Sequence, residues 1–135
     1  MKRAVNILLA ALAIASCSGN SAEKAREHLM REVEEGNRQM MQQDMQQATI
    51  CTGIDFLNDN IHYNFTINEQ YMKFADFRKN REMLRDNITG TIKSTAEMRP
   101  MLESLEVLDG KMIYTYTGSL SNDTMLIVIS AKELH

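Results

Sequence analysis

Apolar residues along this chain alternate between two periods, and each switch marks a new element. Ala22, Ala25, Leu29, Val33, Gly36 and Met40 recur at steps of three and four, the helical repeat. A first helix is expected from Asn20 or Ser21, where Asn20 and Glu23 approximate a capping box, through the Gln- and Met-rich stretch to Gln47. Gly36 inside it signals a bend or a close contact. Phe74, Phe77, Leu84, Ile88 and Ile92 keep the same period and predict a second helix over about 70–93. Ser94 with Glu97 then suggests a fresh cap. A short helical turn is expected past Pro100, the only proline, to Ser104.

The period drops to two around these helices. Ile54 to Thr66 aligns without gaps on Leu105 to Thr117, at an offset of 51 residues and with three identities, Leu57/Leu108, Tyr63/Tyr114 and Thr66/Thr117. Each copy reads as strand, polar turn and alternating strand, a β-hairpin. Asp109-Gly110 is the stronger turn, because a type I′ turn needs positive φ and glycine supplies it freely. The likeness fits either an internal duplication or two hairpins that share a common pattern. Within each hairpin Tyr63 and Phe65 should face inward with Ile61, and Tyr114 and Tyr116 with Met112. A final strand over Thr124–Ser130 carries Met125 to Ile129, apolar at every position, and is expected to be central or covered on both faces. The order helix, hairpin, helix, hairpin, strand predicts an α+β domain: an antiparallel sheet of four or five strands with helices on one face.

The N-terminus has a different character. Lys2 and Arg3 precede an eleven-residue, largely apolar segment, Ala4 to Ile14, which is too short to span a bilayer. Positive end, apolar middle and small residues are the parts of a secretory signal. A cysteine follows at once, and Ile14-Ala15-Ser16-Cys17 resembles the lipobox of bacterial lipoproteins. That resemblance implies that residues 1–16 are removed and that Cys17 is acylated as the first mature residue. Residues 17–20 then form a tether that lets the domain, 21–135, stand only about 10 Å from the lipid surface. Localisation follows: a lipid-anchored protein of the bacterial cell envelope, expected at the outer membrane and facing the periplasm or the exterior. Downstream, the chain is similar to small uncharacterised exported bacterial proteins, which share a Tyr-x-Tyr or Tyr-x-Phe strand, here Tyr114-Thr115-Tyr116 and Tyr63-Asn64-Phe65. At fold level its plan is similar to secreted inhibitor and PepSY-type modules, which is no warrant for function.

Charge and composition exclude more than they indicate. Loss of Lys2 and Arg3 with the leader lowers the basic count from 15 to 13 against 18 acidic residues, a formal net charge of −5 without long runs of one sign. A nucleic-acid binder would show a basic stripe. Cys51 is left without an intrachain partner and is expected to be buried and inert. The three histidines, His28, His62 and His135, lie far apart, with no metal-ligand spacing, so neither metal nor cofactor is expected. His28 with Glu27 and Glu32 reads as a solvated helix face. Cys51 with His62 is the one nucleophile–base pair that folding could bring together, and periodicity does not decide whether they share a face. Eleven methionines, with Met30, Met40, Met41 and Met45 crowding the first helix, fit gap-filling in a small core; an adaptable partner surface or a soft-metal site are the rarer uses.

The expectation is a membrane-anchored, non-enzymatic binding or adaptor protein with another envelope protein as its partner. The alternative is an inhibitor or accessory subunit of an envelope hydrolase. The candidate partner surface is the polar sheet face: His62, Asn64 and Thr66 on one strand, Thr115 and Thr117 on its repeat counterpart. Asp123-Thr124-Met125 resembles the O-glycosylation acceptor of Bacteroidetes, which would place a sugar on Thr124.

Overall fold

The computed structural model describes residues 2–40 and 48–134, with side chains from Ser21 onward. The elements follow in the order α1 (Lys2–Met40), β1 (Thr49–Leu57), β2 (Asn60–Ile67), α2 (Phe74–Lys79), α3 (Arg81–Ser94), a 3-10 turn (Ala96–Met98), α4 (Arg99–Val107), β3 (Lys111–Gly118), β4 (Thr124–Ser130) and a closing 3-10 turn (Ala131–Leu134). The fold is α+β, as expected, but the sheet is mixed. Its four strands lie in the order β1-β2-β3-β4, antiparallel at both flanks and parallel between β2 and β3.

That central pairing accounts for the internal likeness. Ile61 pairs with Met112, Tyr63 with Tyr114, Phe65 with Tyr116 and Thr66 with Thr117, so the register is the same 51-residue offset seen in the sequence. Parallel neighbours in register meet the same neighbours above and below, so like residues suit both, and the resemblance needs no common origin. The first halves of the two copies do not share a structure. Ile54 to Leu57 is strand, whereas Leu105 to Val107 ends α4, which starts with Pro100 in its first turn. The second hairpin is therefore a helix, a turn and a strand. Short apolar runs such as Leu105 to Leu108 do not distinguish helix from strand by themselves.

The Asp109-Gly110 turn also differs from a type I′ hairpin turn. Asp109 takes the left-handed conformation, φ 53°, and Gly110 does not. Gly110 N–H donates to the Leu105 carbonyl at 2.7 Å and Asp109 N–H to that of Glu106 at 3.0 Å, the two bonds of a Schellman helix end. Glycine is needed here for space, since a Cβ would collide with the Asp59 carbonyl oxygen and the Leu105 side chain. The type I′ conformation belongs instead to Asn58 and Asp59, both at positive φ, in the β1–β2 hairpin.

Helix α1 buries Ala25, Leu29 and Val33, and Gly36 supplies the close contact: a Cβ there would lie 2.8 Å from Ile54 Cδ1. Its backbone is helical through Asn20, so no cap forms there. The predicted continuation through Met41 and Met45 lies outside the described residues. The second predicted helix starts late, at Phe74, and is broken at Asn80. Asn80 Nδ2 donates to the Asp76 carbonyl, the acceptor that its own N–H would use in a continuous helix, and that N–H turns to Phe77.

The core lies between the helices and one sheet face, which carries Ile61, Tyr63, Phe65 and Ile67 on β2, Met112, Tyr114 and Tyr116 on β3, and Met125, Ile127 and Ile129 on β4. The inward alternation of the repeated strands is therefore as expected. Met101, Met112 and Met125 fill gaps in this core, and Met30 is exposed. Strand β4 departs from expectation: it is an edge strand, and Leu126 and Val128 are 51% and 42% exposed. Cys51 pairs with Phe65 on the core face and is only half-buried. Desolvation pushes its thiol above the ordinary 9.0, against a weaker contact to the Gly53 carbonyl.

Tyr116→Ala should cost about 3–5 kcal/mol and Thr115→Ala, on the opposite face, under about 0.5, as read by urea unfolding. Equal losses would contradict the assignment of faces. Burial raises the phenol of Tyr116 to about 12 and those of Tyr63 and Tyr114 higher. Because the folded values lie above the unfolded one, their contribution is complete below about pH 10 and is lost as pH rises through 12 and beyond. Alkaline unfolding should accordingly coincide with the late tyrosinate absorbance step. In a Cys17→Ser background, alkylation of Cys51 should rise only above pH 9 in the folded protein and move to lower pH on denaturation.

Candidate functional site

The sheet face turned away from the core brings the five predicted binding residues together. Strand register places Thr66, Thr117 and Thr124 in one row, Asn64, Thr115 and Leu126 in the next, and His62, Ile113 and Val128 in the third. Asp55 stands across from His62 on β1. The Asn64 amide donates to Asp55 at 3.2 Å, and Thr52 Oγ1 donates to the Asn64 carbonyl at 3.2 Å. The face is thus graded. Its β1–β2 side is polar and internally hydrogen-bonded, its middle is a threonine stripe, and its β4 side is apolar. Leu126 and Val128 were missed as surface residues because an apolar run in sequence reads as a covered strand. Thr124, the candidate sugar acceptor, is exposed at the end of the threonine row.

Helix α1 flanks the polar side. Met30, Val33, Glu34 and Asn37 line a shallow groove of about 500 Å³ with Asp55, Leu57, His62 and Asn64. Its polar groups are two carboxylates, two amides and an imidazole, set between apolar walls. That combination suits hydrogen-bond donors or a cationic side chain on an otherwise apolar partner. No group of three or more His, Cys, Asp or Glu converges to metal-binding distance among the described residues.

The Cys51–His62 pair is resolved by the register. Cys51 pairs with Phe65 on the core face and His62 with Asp55 on the open face, so the sheet separates thiol from imidazole. His28 is a different case. Rather than a solvated helix face, it is part-buried between α1 and α4, with Nδ1 2.8 Å from Ser104 Oγ and Nε2 3.4 Å from Glu32. Hydroxyl, imidazole and carboxylate are in the order of a nucleophile, base and orienting acid. Ser104, however, is the sixth residue of α4, where the adjacent N–H groups serve the helix and leave no donor pair for an oxyanion. The arrangement works as a clasp between two helices. Sequence spacing held no signal for it, since 76 residues separate its halves.

Ion pairs sit at the turns. Arg26 Nε lies 2.9 Å from Asp59 Oδ1 and Lys132 Nζ 2.9 Å from Asp109 Oδ1. Hydrogen bonding to the cation, with its charge, holds each carboxyl below the ordinary carboxylate range. At the opposite end of the domain, Glu69 accepts hydrogen bonds from the Ser121 backbone and hydroxyl and locks the loop after β2 to the β3–β4 turn. Cys17 lies outside the residues whose side chains are described, and among the described residues no helix is long and apolar enough to cross a membrane.

No family model matches the chain, and no curated protein matches it in sequence. A solved structure does match in fold. It is that of a "putative secreted protein" from Pseudomonas aeruginosa, with a TM-score of 0.67 at 11% identity, covering 85% of this chain and 96% of that one. At that identity the likeness establishes a shared α+β fold.

Proposed function

We propose that this chain is an exported, lipid-anchored binding protein of the bacterial cell envelope, held at the membrane through Cys17 and engaging a protein partner through its open sheet face. The location rests on the order of the leader: a basic start, an apolar middle and Ile14-Ala15-Ser16-Cys17. The shared fold with a protein described as secreted supports export. The binding role rests on one observation above all. The open face sets exposed Leu126 and Val128 beside His62, Asn64, Thr66, Thr115 and Thr117 on a rigid, fully paired sheet. An apolar patch rimmed by polar groups is the composition of a protein-interaction surface. The adjoining α1 groove extends it with acceptors for a donor-bearing side chain. Binding rather than catalysis is the role proposed, with the partner a second envelope protein.

Two measurements test this reading. Cys17→Ser should move the protein from the membrane to the soluble fraction; retention after a carbonate wash would refute lipid anchoring. A photo-crosslinking residue placed at Thr115 in the native host should give one discrete adduct, absent when it stands at Glu97 on the helical side. Leu126→Arg should abolish that adduct with thermal stability unchanged. Adducts at both positions, or insensitivity to Leu126→Arg, would remove the open face as the partner surface.

A further inference from the structure

A lipid anchor at Cys17 would constrain how the domain stands on the membrane. Cys17 is four residues before Ser21. That separation is about 6 Å as helix and at most about 14 Å fully extended. Whichever end of the domain holds Ser21 therefore lies against the lipid. The contacts identify that end. Arg26, little more than one turn after Ser21, pairs with Asp59 in the β1–β2 turn at 2.9 Å. Gly110, after α4, is packed on the carbonyl of the same Asp59. Ser21, Lys24 and Val107 line a common depression. The Asn58-Asp59 and Asp109-Gly110 turns thus share the end from which α1 enters the domain. The loops locked by Glu69, with exposed Leu120, lie at the other ends of the same strands.

Two large apolar side chains near the Ser21 end have no cover: Leu57, 59% exposed, and Val107, 55% exposed. Leu57 closes β1 just before the turn, and Val107 closes α4. The turn carboxylates around them, Asp59 and Asp109, are each neutralised by an ion pair. In the depression beside them, Lys24 and Arg31 stand with Glu27 and Glu103, and Lys111 adds to the positive surroundings of Asp109, so no uncompensated block of one sign forms there. Apolar insertion rather than charge attraction is the fitting mode of contact with a bilayer.

We propose that the turn end of the domain rests on the lipid surface, with Leu57 and Val107 in the headgroup region. The strands then stand roughly along the membrane normal, and the open sheet face is presented sideways into the aqueous phase. This rests on lipidation at Cys17, and its test separates the two. The chain has no tryptophan, so single substitutions report one site each. Leu57→Trp, Val107→Trp and, as the far-end control, Leu120→Trp would be purified as the acylated protein. Each would be reconstituted into phosphatidylethanolamine–phosphatidylglycerol vesicles carrying lipids brominated near the headgroup. Fluorescence at positions 57 and 107 should be quenched about twofold and shifted to the blue, with position 120 unaffected. Vesicle-bound protein in which 57 and 107 are quenched no more than 120 would overturn the orientation and leave the anchor standing. Protein that fails to float with the vesicles would overturn both.

Discussion

Parallel pairing of β2 with β3 is the constraint on which the rest of the fold depends. Neighbouring strands are spaced by about 4.8 Å, and in-register parallel pairing sets like side chains at that distance. Tyr63 stacks on Tyr114 with ring centroids 4.7 Å apart, and Phe65 on Tyr116 at 4.9 Å. Phe77 of α2 closes the ladder against Tyr116 at 5.0 Å. Each pair contributes contact beyond its buried area, and together they span the two strands that are furthest apart in sequence among paired neighbours. A parallel join cannot be made by a tight turn. The chain between Ile67 and Lys111 must cross the sheet, and it does so as α2, α3 and α4. Three helices of the layer, α2, α3 and α4, are thus the connection that the central pairing demands, and α1 joins them by packing on α4.

The same constraint explains what was legible in the sequence and what was not. Which residues point inward was readable, because alternation depends only on the strand being a strand. Ile61, Tyr63, Phe65, Met112, Tyr114 and Tyr116 all face the core. The five polar residues gathered on the opposite face follow from that alternation. Strand direction is a non-local property, and a hairpin-like motif repeated 51 residues later carries no information about it. The offset equals the pairing register, a coincidence that becomes visible only once the two strands are known to be parallel neighbours. Leu105 to Val107 was ambiguous because three apolar or long residues fit either period. The outcome was decided by burial of Leu105 in the core and by Gly110 lying against Asp59.

Exposure of β4 was illegible for a related reason. Five consecutive apolar residues, Met125 to Ile129, usually mean a strand covered on both faces. Here only the odd positions are covered, and Leu126 and Val128 remain on the surface. An unpartnered apolar stripe on an edge strand is an aggregation hazard unless the edge is protected. The protection comes from the helices. Arg81 of α3 donates to the Leu126 carbonyl at 3.0 Å, and Arg78 of α2 donates to that of Thr124 at 3.4 Å.

The other edge is closed by the same device with different chemistry. The Asn37 side-chain amide donates to the Ile54 carbonyl at 2.8 Å and accepts from the Ile54 N–H at 2.9 Å, so that one side chain satisfies both backbone groups as a neighbouring strand would. Beside it, the register slips between Cys51 and Gly53, and such a bulge twists an edge away from a further strand. Addition of a partner's strand to β1 would have to displace Asn37, and addition to β4 would have to displace Arg81. A peptide strand joining an open edge gains its affinity from unpaired main-chain groups. On this sheet the Ile54 N–H and carbonyl at one edge and the Thr124 and Leu126 carbonyls at the other are already engaged. What the sheet also leaves accessible is a face: side chains of fixed register, half polar and half apolar. Under the proposed binding role, recognition would rest on the identities of Asn64, Thr115, Leu126 and Val128 rather than on strand pairing, and would call for a complementary partner surface rather than an extended peptide.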